Sequence, residues 1–318
     1  ITKMTTNTIT INCKDVPRFD RPESKNDWNK IKGSCCIIEN GVTNNHSLEL
    51  SFDTIKDLLP DQEIQLNESL DSEDKIILST FSDYVDFCQN KKNLTLNYFD
   101  NVTGVTGRHT FTEEPIYLLN YNVNHHPTLR KYVENPEYIE DWFNKYMPIY
   151  KDMIVYGKRH TWFFIGPKGT KSEMHTDHDF VHTTIQQLDG RKRFFIIPDK
   201  DINLILNMDQ EYFKYIEFKL AEDKNCTITD TKGTKDLSLL KNIRLYYSDL
   251  EPRDVINIPS NCGHYAESLS PSISVSRDFI DERNIDLYIC SIISFISPEF
   301  TQQALEGMPV DQSNNIMK

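Results

Sequence analysis

Paired cysteine is missing from this sequence. Seven cysteines occur in 318 residues (Cys13, Cys35, Cys36, Cys88, Cys226, Cys262 and Cys290), an odd number with no CxxC spacing. That argues against a disulfide framework and against a cysteine-built zinc cage. Free thiols fit a reducing, intracellular compartment, cytoplasm or nucleus. A long apolar run is also missing. The longest, Leu287 to Ile296, is too short to span a bilayer and is broken by serines, so no membrane partner is expected. Positive charge is scarce: 35 Lys and Arg stand against 48 Asp and Glu, for a net charge of −13. Such a surface repels phosphate backbones and attracts basic peptides. Nucleic acid is therefore a disfavoured partner, and a protein substrate with a basic segment a favoured one. The chain begins at Ile1 rather than at methionine, which leaves a removed signal peptide open.

What is present suits a folded chain. Hydrophobic residues make up 38% and aromatic residues 11%, enough for one large domain or two modest ones. Cys35-Cys36-Ile37-Ile38 reads as a buried strand, and residues 46–76 as an acidic loop region. Thr80 caps a helix marked by Phe81, Tyr84, Val85 and Cys88. Pro115 to Leu119 reads as a strand. Asn135-Pro136 opens a helix whose apolar face carries Tyr138, Ile139, Trp142, Phe143 and Tyr146. From about Thr161 the pattern turns to short strands: Trp162–Ile165, Val181–Leu188, Arg191–Ile197, Asp254–Ile258 and Ser272–Phe279. Asp189-Gly190 predicts a two-residue hairpin between the second and third of these. Many short strands with turns between them predict a sandwich or barrel. After Asp281, Ile285, Tyr288, Ile289, Ile292 and Ile296 share a helical face, and Ser297-Pro298 starts a second short helix ending at Gly307. This apolar pair either packs on the core or joins two copies as a homodimer.

The chemistry concentrates in Ser172-Glu173-Met174-His175-Thr176-Asp177. If the segment is extended, His175 and Asp177 point the same way, because strand side chains alternate. A third ligand must come from elsewhere, and His264, just beyond the strand Asp254–Ile258, is the candidate. Two imidazoles and one carboxylate on one face leave positions open for a co-substrate and O2, the arrangement of non-haem Fe(II) oxygenases. His178 and His182 stand four apart, a zinc spacing only on a helix. The strand pattern around them instead predicts surface or pocket-rim residues.

The stretches Trp162 to Gly169, His175-Thr176-Asp177 and Gly190 to Phe194 resemble the first half of a JmjC domain. Asp254 to Pro259, His264 and Pro271 to Val275 resemble its second half. The motifs cover about a third of the chain, with a weaker likeness through Pro115 to Tyr121 and Asn135 to Trp142. Their spacing is most similar to the JmjC lysyl hydroxylase and arginine demethylase group. The resemblance implies a mostly β fold with flanking helices, a double-stranded β-helix of cupin or jelly-roll type plus C-terminal helices. It implies an N-terminal α/β region over residues 1–114, the core over 115–282 and a helical segment over 283–318. It implies Fe(II) on His175, Asp177 and His264, and 2-oxoglutarate as co-substrate with O2. Lys192 and Ser172 match the residues that hold the distal carboxylate of 2-oxoglutarate, and Ser276 matches another family hydroxyl. Thr183 or Thr184 lines the pocket, and the sequence does not choose between them.

Two departures stand out. Cys262-Gly263 replaces a frequent tryptophan pair, which either changes local packing or enlarges the pocket. Asp278 replaces a common asparagine, which either weakens a metal-water or co-substrate contact or supplies a substrate contact. The implied activity is hydroxylation of a protein side chain, lysine favoured, with release of succinate and CO2. Protein N-methyl demethylation and nucleic-acid hydroxylation use the same chemistry. A cupin-like binding protein without turnover is the reading from another class.

Overall fold

The computed structural model describes residues 7–66, 75–100, 104–111, 115–122, 127–133, 136–143, 161–206, 215–233 and 237–296. The strands, in chain order, are β1 (Asn7–Asp15), β2 (Arg18–Asp20), β3 (Cys36–Glu39), β4 (Glu63–Leu66), β5 (Lys75–Thr80) and β6 (Leu94–Asp100). They continue with β7 (Thr106–Phe111), β8 (Leu118–Asn122), β9 (Thr161–Gly166), β10 (Lys171–His175), β11 (His182–Asp189) and β12 (Lys192–Ile197). The last six are β13 (Ile216–Leu220), β14 (Asn225–Asp230), β15 (Leu245–Leu250), β16 (Val255–Ile258), β17 (Gly263–Ser268) and β18 (Ser272–Phe279).

Two seven-stranded sheets carry the centre, ordered β10-β17-β12-β15-β1-β14-β13 and β2-β3-β16-β11-β18-β9-β8. From β9 the chain passes back and forth between them. β9, β11, β16 and β18 lie in one sheet, and β10, β12, β15 and β17 in the other. Two facing antiparallel four-stranded sets wound in this way form a double-stranded β-helix. β1 extends one sheet while β2 and β3 extend the other, so the first strands of the chain are part of the core sheets. Ile185, Phe194, Ile196, Ile256 and Ile258 meet between the sheets. Alternation along each strand then fixes which side chains face inward.

The Asp189-Gly190 hairpin does not form. β11 pairs with β16 and β18, and β12 pairs with β15 and β17. The dipeptide is instead the corner where the chain changes sheets. Gly190 has φ +66°, and a Cβ there would lie 1.8 Å from the Pro271 carbonyl oxygen. The turn chemistry was legible, but whether two strands pair depends on which edges other strands already occupy.

The described part of residues 46–76 is not a loop. After α1 (Lys25–Ile31) come α2 (Asn45–Glu49) and α3 (Phe52–Leu58), then β4. Asn44 caps α2 and Ser51 caps α3 through side-chain oxygens that accept backbone N–H bonds. Both helices are too short to show a periodic stripe. α4 (Phe81–Cys88) follows its Thr80 cap. The Tyr84 hydroxyl of α4 accepts from the Leu118 amide and lies 2.9 and 2.7 Å from the Ile116 and Ile165 carbonyls, tying this region to β8 and β9. The sheet β4-β5-β6-β7 shares one apolar cluster with Phe163, Ile165, Ile273 and Val275 of the core.

The β8 strand begins at Leu118 rather than Pro115. The helix predicted from Asn135 also starts later: residues 136–141 are turn and coil, and helix begins at Trp142. Asp141 is its cap, because Oδ1 accepts the Phe143 amide at 2.9 Å. Tyr138 is held outside the helix by donating to the Gly41 carbonyl. Asn135 and Tyr146 lie outside the described residues. α5 (Asp199–Leu206) follows β12, and α6 (Ile285–Ile296) follows the core. Tyr288 of α6 packs edge-on to Phe143, and Ile285 and Ile292 join the same cluster, so this face covers the core. The second C-terminal helix predicted after Ser297 lies outside the described residues. Among the described residues, no helix is long and apolar enough to cross a membrane.

Candidate metal centre and co-substrate pocket

β10 and β17 run antiparallel, and their register sets His175 opposite His264. Asp177 follows at the start of a short 3-10 turn, His178–Phe180. One ligand atom from each of His175, Asp177 and His264 falls within a 4.8 Å span. Nε2 of His175 is 3.9 Å, and Nε2 of His264 3.8 Å, from Asp177 Oδ1. The ring centres of the two histidines are 4.2 Å apart. The Nδ1 atoms face backbone carbonyls, Glu173 O at 2.6 Å and Cys262 O at 3.3 Å. A carbonyl only accepts, so Nδ1 carries the proton and both Nε2 lone pairs turn to the centre.

The electrostatics suit a cation. Burial pushes the Asp177 carboxyl up, but the rings of His264 and His175 and the Thr183 hydroxyl outweigh it and hold it below the usual carboxylate range. Loss of hydration, then the neighbouring His264, lowers His175 to about 4. At neutral pH His175 is therefore a neutral imidazole and Asp177 a carboxylate, the forms in which they bind a divalent metal. His264 is buried, while the His175 side chain is 47% exposed, which puts the mouth of the site on its side.

Lys192 faces inward from β12, 3% exposed, as its place beside Phe194 and Ile196 predicts. Its Nζ donates to the Tyr117 hydroxyl at 2.8 Å and lies 5.3 Å from the ring centres of Tyr117 and Phe164. Burial lowers its pKa to about 7. Burial pushes the Tyr117 phenol up, and the neighbouring Ser172 side chain partly offsets that. Ser172, Tyr117 and Lys192 thus form one polar cluster in an aromatic wall. Tyr117 escaped the sequence reading: it precedes Lys192 by 75 positions and carries no motif.

Thr183 and Thr184 divide. Thr183 Oγ1 is 2.5 Å from Asp177 Oδ2 and 3.0 Å from Asp278 Oδ1. Thr184 points to the opposite face of β11, where its Oγ1 is 3.4 Å from the Arg277 carbonyl, and so leaves the pocket set. Ser276 is buried opposite Ile185 and Trp162, on the same face of β18 as Asp278. His178 is exposed. His182, predicted at the surface or rim, is buried instead: its Nδ1 accepts from the Ser260 amide, and Nε2 lies 3.3 Å from Asp281 Oδ1. It shares the outer face of β11 with Thr184, and Asp281 lies against it there. At Cys262-Gly263 the pocket is not widened. A Cβ on Gly263 would lie 2.4 Å from Ile202 Cδ1, and Cys262 is buried in the core between the sheets.

The family model for the cupin-like domain matches residues 31–282. The chain belongs to the cupin-like domain family. It is 23% identical over 206 residues to a protein named arginine-specific demethylase JMJ20 from Arabidopsis thaliana, covering 61% of this chain and 42% of that protein. It is 28% identical over 113 residues to Jumonji C domain-containing protein 5 from Drosophila melanogaster, covering 36% of this chain and 26% of that protein. The chain thus spans less than half the length of either relative.

Proposed function

We propose that this protein is an Fe(II)- and 2-oxoglutarate-dependent dioxygenase that hydroxylates a protein side chain, with lysine the favoured target. The observation that carries the reading is the pairing of a three-ligand centre with a buried ammonium. His175, Asp177 and His264 would hold the metal by one face. Lys192, with Tyr117 and Ser172, would receive the distal carboxylate of 2-oxoglutarate. A lysine lowered to about 7 by burial regains its charge when a carboxylate joins it. Bound iron and 2-oxoglutarate together supply the power to insert one atom of O2 into a C–H bond, releasing succinate and CO2. The chain's part is positioning and electrostatics. The Nε2 atoms of His175 and His264 would orient the metal, Thr183 holds Asp177 through its hydroxyl, and the aromatic wall of Tyr117 and Phe164 limits water at Lys192.

A second reading is removal of a methyl group from arginine, favoured by the name of the plant relative. Hydroxylation of an N-methyl carbon gives a product that falls apart, so both readings use one site. The acidic balance of the chain supports a basic protein segment as partner in either case.

Anaerobic calorimetry of 2-oxoglutarate on the Mn(II)-loaded protein tests the shared core of these readings, with His175→Ala as control. Binding by the wild type that disappears in the variant is the expected result. No binding by either protein would remove the oxygenase reading and favour a binding protein without turnover.

A further inference from the structure

His264 enters β17 from a turn over residues 259–262, closed by the Cys262 N–H, which donates to the Pro259 carbonyl at 3.3 Å. Asn261 in this turn has φ +62°, a left-handed conformation that asparagine accepts but that its surroundings must hold. The Cys262 carbonyl faces His264 Nδ1 at 3.3 Å, so the turn aims the ligand ring. The turn itself is held from the outer face of β11. The Ser260 N–H donates to His182 Nδ1 at 2.9 Å. A ring nitrogen that accepts carries no proton, so the His182 proton sits on Nε2, 3.3 Å from Asp281 Oδ1. Arg283 grips Asp281: its Nε is 2.9 Å from each carboxylate oxygen and its Nη2 2.6 Å from Oδ2. Lys32 Nζ is 3.6 Å from the same carboxylate. His182 and Asp281 are both buried, and the Phe279 ring centre lies 5.2 Å from that of His182. Burial lowers the His182 pKa more than Asp281 raises it, so at pH 7 the ring is neutral and keeps its acceptor.

We propose that His182 is a positioning residue of the metal centre: from the outer face of β11 it holds the turn before β17, and through that turn the direction of His264. The proposal rests on the metal site of the oxygenase reading and goes beyond it by naming a residue outside the pocket that sets the metal affinity. Thr183, the next residue of β11, faces the ligands, while His182 lies on the opposite face. The contacts run from Asp281 to the His182 ring, to the Ser260 N–H, along the turn to the Cys262 carbonyl, and to the His264 ring. Each link fixes the next, as outer hydrogen bonds orient a metal-bound imidazole.

The test measures Mn(II) affinity of the full chain by electron paramagnetic resonance, with circular dichroism to confirm folding, for the wild type, His182→Leu, His182→Asn and His182→Gln. An asparagine amide oxygen can take the place of Nδ1 and accept from Ser260. A glutamine amide sits one carbon further out, and leucine accepts nothing. The leucine and glutamine variants are expected to bind Mn(II) about 10- to 100-fold more weakly, and the asparagine variant to stay within about threefold of wild type. A purely structural role would lower the melting temperature without that order of affinities. A folded leucine or glutamine variant that binds within about threefold of wild type overturns the proposal. So does an asparagine variant that fails to fold, or that binds no better than whichever of the other two folds. Failure of all three to fold would make His182 a residue of the fold alone and also overturns it. A wild type that binds no Mn(II) is a separate result, which removes the metal centre and the oxygenase reading along with this proposal.

Discussion

Lys192→Met should make the protein more stable and its co-substrate pocket useless. The lysine is 3% exposed, and among the described residues its Nζ has one hydrogen-bonded partner, the Tyr117 hydroxyl at 2.8 Å. A neutral hydroxyl does not compensate for lost hydration, which is why burial lowers the group from 10.5 to about 7. At 1.36 kcal/mol per pH unit, that depression costs on the order of 3–5 kcal/mol at pH 7. Methionine fills a similar volume without a charge, and losing the bond to Tyr117 returns about 1 kcal/mol. A net gain of about 2–4 kcal/mol follows, or a rise in Tm of roughly 5 °C.

The sign depends on pH. Between about 7 and 10.5 the unfolded lysine holds a proton that the folded one has released, so wild-type stability rises with pH through that window. The advantage of the variant is therefore full below pH 7 and fades towards pH 10. Binding should move the other way. Removing one member of a buried charge pair costs about 2–5 kcal/mol, or roughly 30-fold to several thousand-fold in 2-oxoglutarate affinity. Scanning calorimetry with and without 2-oxoglutarate and Mn(II) reads both effects. A variant that melts lower than wild type, or binds 2-oxoglutarate within threefold of it, would refute the reasoning.

Three further outcomes follow from the site. The 2-oxoglutarate affinity of the wild type should fall as pH rises above about 7, by up to tenfold per unit, because Lys192 must then take up a proton on binding; calorimetry in buffers of different ionisation enthalpy should show that uptake. Thr183→Val removes the hydroxyl from Asp177 and should weaken Mn(II) binding by about 10- to 100-fold, the usual effect of losing a group that orients a ligand; a competitive metal titration measures it. Gly190→Ala puts a Cβ 1.8 Å from the Pro271 carbonyl at φ +66°. It should destabilise by about 1–3 kcal/mol in denaturant titration, through strain at the corner between the sheets.

The centre of the site was legible in the sequence because its parts are local or periodic. His175 and Asp177 lie two apart, and the lone distant ligand, His264, follows a readable strand. The inward face of Lys192 came from simple alternation with Phe194 and Ile196. The Thr80 cap, the late β strands and the helix Ile285–Ile296 were equally local.

Pairing and burial were decided by the tertiary structure alone. Asp189-Gly190 has the chemistry of a hairpin, yet its two strands join different sheets because β16 and β18 flank one and β15 and β17 the other. Thr183 and Thr184 are equal in sequence. Only the register of β11 against β18 turns the first to Asp177 and the second to the outer face. His182 looks like a surface histidine until Ser260 and Asp281 close on its two ring nitrogens. Tyr117, just before β8 of one sheet, reaches Lys192 of β12 in the other across 75 residues because the two sheets face each other. Residue type and short-range period come with the chain itself, whereas partners far apart in sequence meet only when whole sheets pack.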